Sequence, residues 1–346
     1  MGLKSEGEQP FPLTPRQLSR PNTDGRALKG FRFEESVVIS RNFKTFGAIA
    51  GAMALTVAGC ATQAPPQRDE RSQLTPGARP VEAEAMAFES FMRHARGIDP
   101  GFSSAGDVSQ ALQVGASHDP VQLEAGMVAY AAVAALQEPS FVSGVQRASR
   151  GGGLARRLTD DPASALALPG GQAAAARAGA ALARQGEGLG EAGQRVKHAA
   201  YAVQRQGWSK SNVSDPRGRL AQVKRLSAAG YRPEAGDAAH LREAVAETGR
   251  RGGASSPVVA RGVALAALSV LGEAERGRPL MSEPRTASCL RIAKLNLYQC
   301  LASAGPQYED IFCLGQHAMI DPGRCVADAA RAPAAHTPIT RASWSR

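Results

Sequence analysis

The sequence predicts an all-α fold: a multi-helix array or bundle that ends in a disulfide-stapled αα-hairpin. Three observations predict it. Alanine is abundant, and aromatic residues make up only 5% of the 346 residues, so the core is filled by small side chains from strong helix formers. No run alternates β-branched and aromatic residues with polar ones, as a half-buried strand requires. One device recurs, a short polar residue followed by proline, at Asp119-Pro120, Asp161-Pro162, Asp215-Pro216 and Ser256-Pro257. At a helix start the polar side chain accepts a backbone N–H, and proline takes the first helical position, where no N–H is needed.

Residues 1–36 are polar, lack periodicity and read as an extension outside the fold. An apolar run of about 13 residues, 46–58, then follows Arg41 and Lys44. It has the length of a signal h-region and falls short of the roughly 20 residues that span a bilayer. The run closes on Val57-Ala58-Gly59-Cys60. Positive charge, short apolar run, small residues and cysteine, in that order, resemble the signal peptide and lipobox of bacterial lipoproteins. The resemblance implies that residues 37–59 are a signal cut before Cys60, whose thiol and new amino group are acylated. That covalent lipid is the one cofactor expected. More than one acyl chain makes such an anchor stable. Because signals are N-terminal, the expected start is Val37 or Val38, as a GTG codon initiates as well as encodes valine. Ala61, standing where an aspartate would favour the inner membrane, implies the periplasmic face of the outer membrane.

Residues 60–80 read as a tether, with Gln63-Ala64-Pro65-Pro66 and Pro76-Gly77 carrying proline and charge but no apolar periodicity. The chain is basic, with a formal net charge of +10. From Cys60 onward 33 Lys and Arg face 26 Asp and Glu, a net of about +7. Such a surface suits anionic lipid or cell-wall polymer; nucleic acid is not an expected partner of an exported chain.

Residues 81–280 read as an alanine-rich helical domain. After Asp119-Pro120, the residues Val121, Glu124, Met127, Val128, Ala131 and Ala135 place an apolar stripe on one helix. Residues 173–184 form a second helix. Residues 192–206 form a third, with Val196, Ala199, Ala200 and Val203 inward. Residues 238–248 carry Leu241 and Val245 behind a cap at Asp237. Residues 258–275 are the most apolar and are expected to be central. Gly151-Gly152-Gly153 and Arg251-Gly252-Gly253 mark loops. Gly188-x-Gly190-x-x-Gly193 has the letters of a dinucleotide fingerprint, but it follows a helix rather than a strand and reads as a flexible joint. Ala129-Tyr130-Ala131 and Ala200-Tyr201-Ala202 echo one another as helix endings with an aromatic cap, without a regular repeat period.

Residues 281–326 hold the most specific pattern after the lipobox. With Cys60 acylated, Cys289, Cys300, Cys313 and Cys325 remain, an even number in an oxidising compartment. Residues 290–303 read as a helix, Ala304-Gly305-Pro306 as a break and residues 307–320 as a second helix, ended by Asp321-Pro322-Gly323. Three pairings are possible. Cys300 and Cys313 are centred at about residue 306.5, and Cys289 and Cys325 at 307. Both centres fall on the turn, and residues equidistant from the turn of an antiparallel hairpin lie opposite each other. The expected bonds are therefore nested, Cys300 with Cys313 inside Cys289 with Cys325. The arrangement is similar in idea to the twin-cysteine hairpins of mitochondrial coiled-coil-helix proteins; the spacing differs, and no function is carried over. Zinc is not expected, because no two cysteines are close. His317 and Met319 beside Cys313 make a soft-metal site the weaker alternative, and no C-x-x-C redox pair is present. Residues 327–346 read as a disordered tail.

No Walker loop, G-x-S-x-G elbow, S-x-x-K or H-E-x-x-H motif occurs, and no catalytic or metal-binding residue is assigned. His94, His118, His198, His240, His317 and His336 are scattered; His240 with Glu243 reads as a surface pair, and His198 near Tyr201 as packing. The basic stretch with Trp208, Lys210, Arg217, Arg219, Lys224 and Arg225 is the candidate contact surface for anionic lipid, peptidoglycan or an envelope protein. The exposed side of the hairpin around Tyr298, Tyr308 and His317 is a second. The expected role is non-catalytic, an interaction or structural component of the cell envelope. The rival is an enzyme acting on cell-wall polymer, whose mark would be a cleft holding a buried carboxylate or histidine.

Overall fold

The computed structural model describes residues 79–246 and 256–331. The expectations for the extension, signal and Cys60, for the tether up to residue 78, for the loop at Arg251-Gly252-Gly253, and for the tail beyond Arg331 lie outside the described residues; residues 79–80, expected in the tether, and 327–329, expected in the disordered tail, are helical. The described residues are all-α. The helices are α1 (Arg79–Arg96), α2 (Ala105–Gly115), α3 (Pro120–Leu136), α4 (Pro139–Ala148), α5 (Leu154–Asp160), α6 (Gly171–Val203), α7 (Pro216–Ala229), α8 (Asp237–Ala246), α9 (Pro257–Val270), α10 (Pro284–Ser303), α11 (Gln307–Cys313) and α12 (Asp321–Ala329). Tighter 3₁₀ segments cover Pro162–Ala167, Trp208–Lys210 and Ala274–Met281. The only β pairing among them is one isolated bridge between Asn212 and Pro306. No helix among them is long and apolar enough to cross a membrane.

The polar-residue-then-proline device works at all four expected places. Asp119 accepts from the N–H groups of Val121 and Gln122, Asp215 from Gly218 and Ser256 from Val259. Asp161 caps the 3₁₀ segment Pro162–Ala167 rather than an α-helix. Each cap is worth about 1 kcal/mol. Glu283-Pro284 repeats the device with a longer side chain and starts α10 at residue 284, six residues before the expected start.

The core gathers around α3, which packs against α1, α6 and α9. The expected stripe is too narrow a description: Val121 is exposed, and from Leu123 to Ala135 nearly every residue is buried, because neighbours cover the helix on all sides. Helix α9 is equally apolar and shares the centre; it ends at Val270, ahead of Gly272 at φ +73°. Tyr130 lies wholly buried in the middle of α3 and bonds Gln185, whereas Tyr201 is exposed, so the two Ala-Tyr-Ala sites are not equivalent.

The expected joint at Gly188, Gly190 and Gly193 does not exist. Residues 171–203 are one continuous helix. Two of its glycines form a contact seam: a Cβ on Gly186 would come within 2.4 Å of the Ala327 backbone nitrogen, and one on Gly193 within 2.9 Å of the Gly315 carbonyl oxygen. Backbone-to-backbone contact with the chain's C-terminal helical segment replaces the stability that glycine costs a helix.

The hairpin forms with both expected bonds. Cys300–Cys313 spans 5.6 Å between Cα atoms, and Cys289–Cys325 spans 5.8 Å. Its second arm is longer than expected. Asp321-Pro322-Gly323 does not end the helix; a π-helical segment, Leu314–Ile320, carries the chain from α11 into α12. Proline is tolerated there, in the first turn of α12.

Candidate functional site

A cleft of about 340 Å³ opens between α1, the connection from α2 to α3, and the connection from α7 to α8. The Asp119 cap fixes the start of α3 and so places His118 just before it. Ser227 of α7 donates to the His118 carbonyl at 2.8 Å. Gln122 ties down the far rim, donating to the Tyr231 carbonyl at 2.8 Å and accepting from the Tyr231 N–H at 2.7 Å. Phe88, Phe91 and Leu123 supply apolar wall.

His118 forms part of the lining at 5% exposure, its ring 4.8 Å from that of Phe91. Neither ring nitrogen has a hydrogen-bond partner; one only leans toward the Gly115 carbonyl. Burial, and then the charge of Lys294, hold this imidazole well below its ordinary pKa, so it is neutral. Lys294 is 3% exposed. Its Nζ donates to the carbonyls of Ala116 and His118, both at 2.7 Å, and sits 5.6 Å from the Tyr298 ring centre. Burial pulls the ammonium down to about 7 against the opposing pull of Asp119.

A polar network braces the opposite side. Arg93 of α1 reaches Asp237 of α8 at 2.9 Å and Glu89 at 3.3 Å. The Tyr231 hydroxyl donates to Asp237. Burial and that bond push Tyr231 up to about 12, so it stays protonated. Burial raises Asp237, but bonds from the Glu234 N–H and Tyr231, with the charge of Arg93, outweigh it and hold the carboxylate below its usual range. Ser90 and His94 approach at 3.2 Å, yet the other nitrogen of His94 faces the Arg93 guanidinium at 3.2 Å. A base that activates serine is oriented by a carboxylate at that position, so this pair lacks the arrangement. A second recess of about 440 Å³ shares His94 and Val114 with the cleft and runs along α2.

The expected basic surface is divided. Lys210, Arg217, Lys224 and Arg225 are exposed, and Lys224 lies 5.4 Å above the Tyr298 ring. Trp208 packs partly on the core and donates to Gln206. Arg219 is a correction: it turns inward, pairs with Asp310 at 2.5 Å and donates to the Leu301 carbonyl, holding α7 to the hairpin. Burial pushes Asp310 up to about 6 despite Arg219 beside it. On the hairpin, Tyr298 and Tyr308 are only partly exposed and pack against the core, while His317 bonds Asp321 at 2.7 Å. The alternative soft-metal site loses its thiolate, because Cys313 is in a disulfide, and Met319 is fully buried.

His118 and Lys294 escaped the reading of the sequence. A signal for Lys294 was present: it falls on the stripe of Leu290, Leu297 and Leu301, where a charge must enter the core. His118 precedes the Asp119 cap, where a side chain packs back over the new helix.

No family model matches the chain, and no curated protein or solved structure matches it.

Proposed function

We propose that the chain is a lipid-anchored component of a bacterial cell envelope that works by binding rather than by catalysis. Cys60 carries the lipid, and the periplasmic face of the outer membrane is the address. The observation that carries this reading is the order of Arg41 and Lys44, the apolar run, and Val57-Ala58-Gly59-Cys60. The pairing of every other cysteine supports it, since disulfides persist in oxidising compartments. Exposed Lys210, Arg217, Lys224 and Arg225 supply a docking face for anionic lipid, peptidoglycan or an acidic envelope protein.

The test is the non-reducing intact mass of the protein extracted from native membranes. The expected species starts at acylated Cys60 and is lighter by four protons than its reduced form. A soluble chain that retains residues before Cys60 and has free thiols overturns the proposal. A second reading, an enzyme acting on cell-wall polymer, is favoured by the cleft and its buried histidine. Against it, no carboxylate bonds His118 to make it a base. Release of soluble fragments from purified peptidoglycan, abolished by Glu234→Ala or His94→Ala, would establish that reading instead.

A further inference from the structure

A polar cleft of about 480 Å³ lies between α2, α7 with the residues before it, and α11. Its charges cancel: Arg219 and Arg225 line it together with Asp215 and Asp310, although the chain as a whole carries +10. Asp215 spends one oxygen on the α7 cap, and Arg219 is paired to Asp310. An ion of either sign entering the cleft meets a like charge along with the opposite one. No aromatic ring is among the described residues that line it, so a flat apolar ligand has nothing to stack on.

Two of the lining side chains are buried yet keep an open end. Gln307 is 9% exposed and Asp310 1%; three residues apart on α11, they share one face of it. The Gln307 amide has no hydrogen-bond partner among the described residues, and neither its oxygen nor its nitrogen is sealed from solvent. Asp310 gives Oδ1 to Arg219 at 2.5 Å. Its Oδ2 has no partner and is likewise not sealed. Buried amides and carboxylates are normally bonded within the protein; here the opening left to them lies in the cleft they line.

The amide offers donors and an acceptor, and the carboxylate oxygen is an acceptor whose charge Arg219 offsets. Ser109 and Gln113 of α2 and Gln222 of α7 add neutral donors and acceptors to the walls, while Leu112 and Val223 supply short apolar stretches. A sugar matches such a lining: adjacent hydroxyls both give and take hydrogen bonds, and the ring carbons present C–H faces. The volume is within the range of small-molecule sites.

We propose that this cleft binds an uncharged sugar, its hydroxyls donating to Oδ2 of Asp310 and exchanging hydrogen bonds with the Gln307 amide, its ring carbons against Leu112 and Val223. Residues 105–310 build the site without the lipid anchor, so it stands or falls separately from the envelope reading.

The experiment is calorimetric titration of the disulfide-bonded full chain with cellobiose, N,N′-diacetylchitobiose, the corresponding diamine chitobiose, digalacturonate and a blocked alanine tripeptide. At least one of the two uncharged disaccharides is expected to bind with Kd below about 1 mM, the diamine and the diacid at least tenfold more weakly, and the peptide not at all. Gln307→Leu keeps the bulk without the amide and is expected to weaken the bound disaccharide at least fivefold. Gln113→Ala, at an exposed position of α2, is expected to weaken it several-fold with the urea midpoint not lowered. Near-ultraviolet circular dichroism checks that both variants are folded. Binding of neither uncharged disaccharide, equal binding of charged and uncharged ones, tighter binding of the peptide, or unchanged affinity in both folded variants would each overturn the proposal.

Discussion

Lys294 reaches the core because the spacing that buries Leu290, Leu297 and Leu301 buries it too, and three groups receive it: the carbonyls of Ala116 and His118 and the Tyr298 ring. Its folded pKa, about 7, lies below the ordinary lysine value. Between pH 7 and about 10 the unfolded chain therefore binds more protons than the native one, and stability rises with pH. The urea midpoint is expected to climb from pH 7 to 9.5, and Lys294→Met is expected to flatten that climb. His118 gives the same sign in a lower window. Its folded pKa is held well below 6.5, so as pH falls through 6.5 the unfolded chain takes up a proton that the native state refuses. Stability is lost there, and His118→Leu is expected to remove that loss, read as a smaller drop in urea midpoint between pH 7 and 5.5. The residue scale was the least legible in the sequence. Composition and period identify a stripe, but only the packed neighbours decide whether a lysine on it snorkels out or stays in.

On the scale of elements, α6 separates glycines that touch a neighbour from those that do not. A Cβ on Gly186 meets the backbone of residue 327, whereas one on Gly190 meets nothing within 4 Å. Gly186→Ala is expected to cost about 2–4 kcal/mol through overpacking against backbone that cannot yield. Gly190→Ala is expected to stabilise by about 0.5–1 kcal/mol through helix propensity and a less flexible unfolded chain. Denaturant titrations of both variants check the contrast. The two disulfides differ in the loop they close, with sequence separations of 36 and 13. Replacing Cys289 and Cys325 by serine is expected to cost about 4 kcal/mol, and replacing Cys300 and Cys313 about 3 kcal/mol, from loop-closure entropy. Helix starts and the nested bonds were legible because they follow local or symmetric rules. The continuity of α6 and the passage through Pro322 were not, because tertiary contact there overrides the usual meaning of glycine and proline.

For the molecule as a whole, the basic surface and the fold separate cleanly. Lys210, Arg217, Lys224 and Arg225 face solvent, while Arg219, in the same stretch, is structural. Charge reversal at Arg217 and Arg225 is expected to weaken binding to vesicles containing phosphatidylglycerol in low salt, with little change in melting temperature. Arg219→Ala is expected to do the reverse, destabilising by roughly 3–5 kcal/mol because it leaves Asp310 buried without its partner. Vesicle cosedimentation and thermal melts separate the two effects.

The glycine seam also sets an order of assembly. Residue 203, the last of α6, is synthesised roughly 110 residues ahead of the backbone that lies against Gly186, Gly193 and Lys197. During that interval α1 and α3 already pack on the helix, but the face that holds Gly186 and Gly193 lacks its partner. A chain ending at residue 303 is therefore expected to leave that face of α6 uncovered, although the packing of α3 against α1, α6 and α9 needs nothing beyond residue 270.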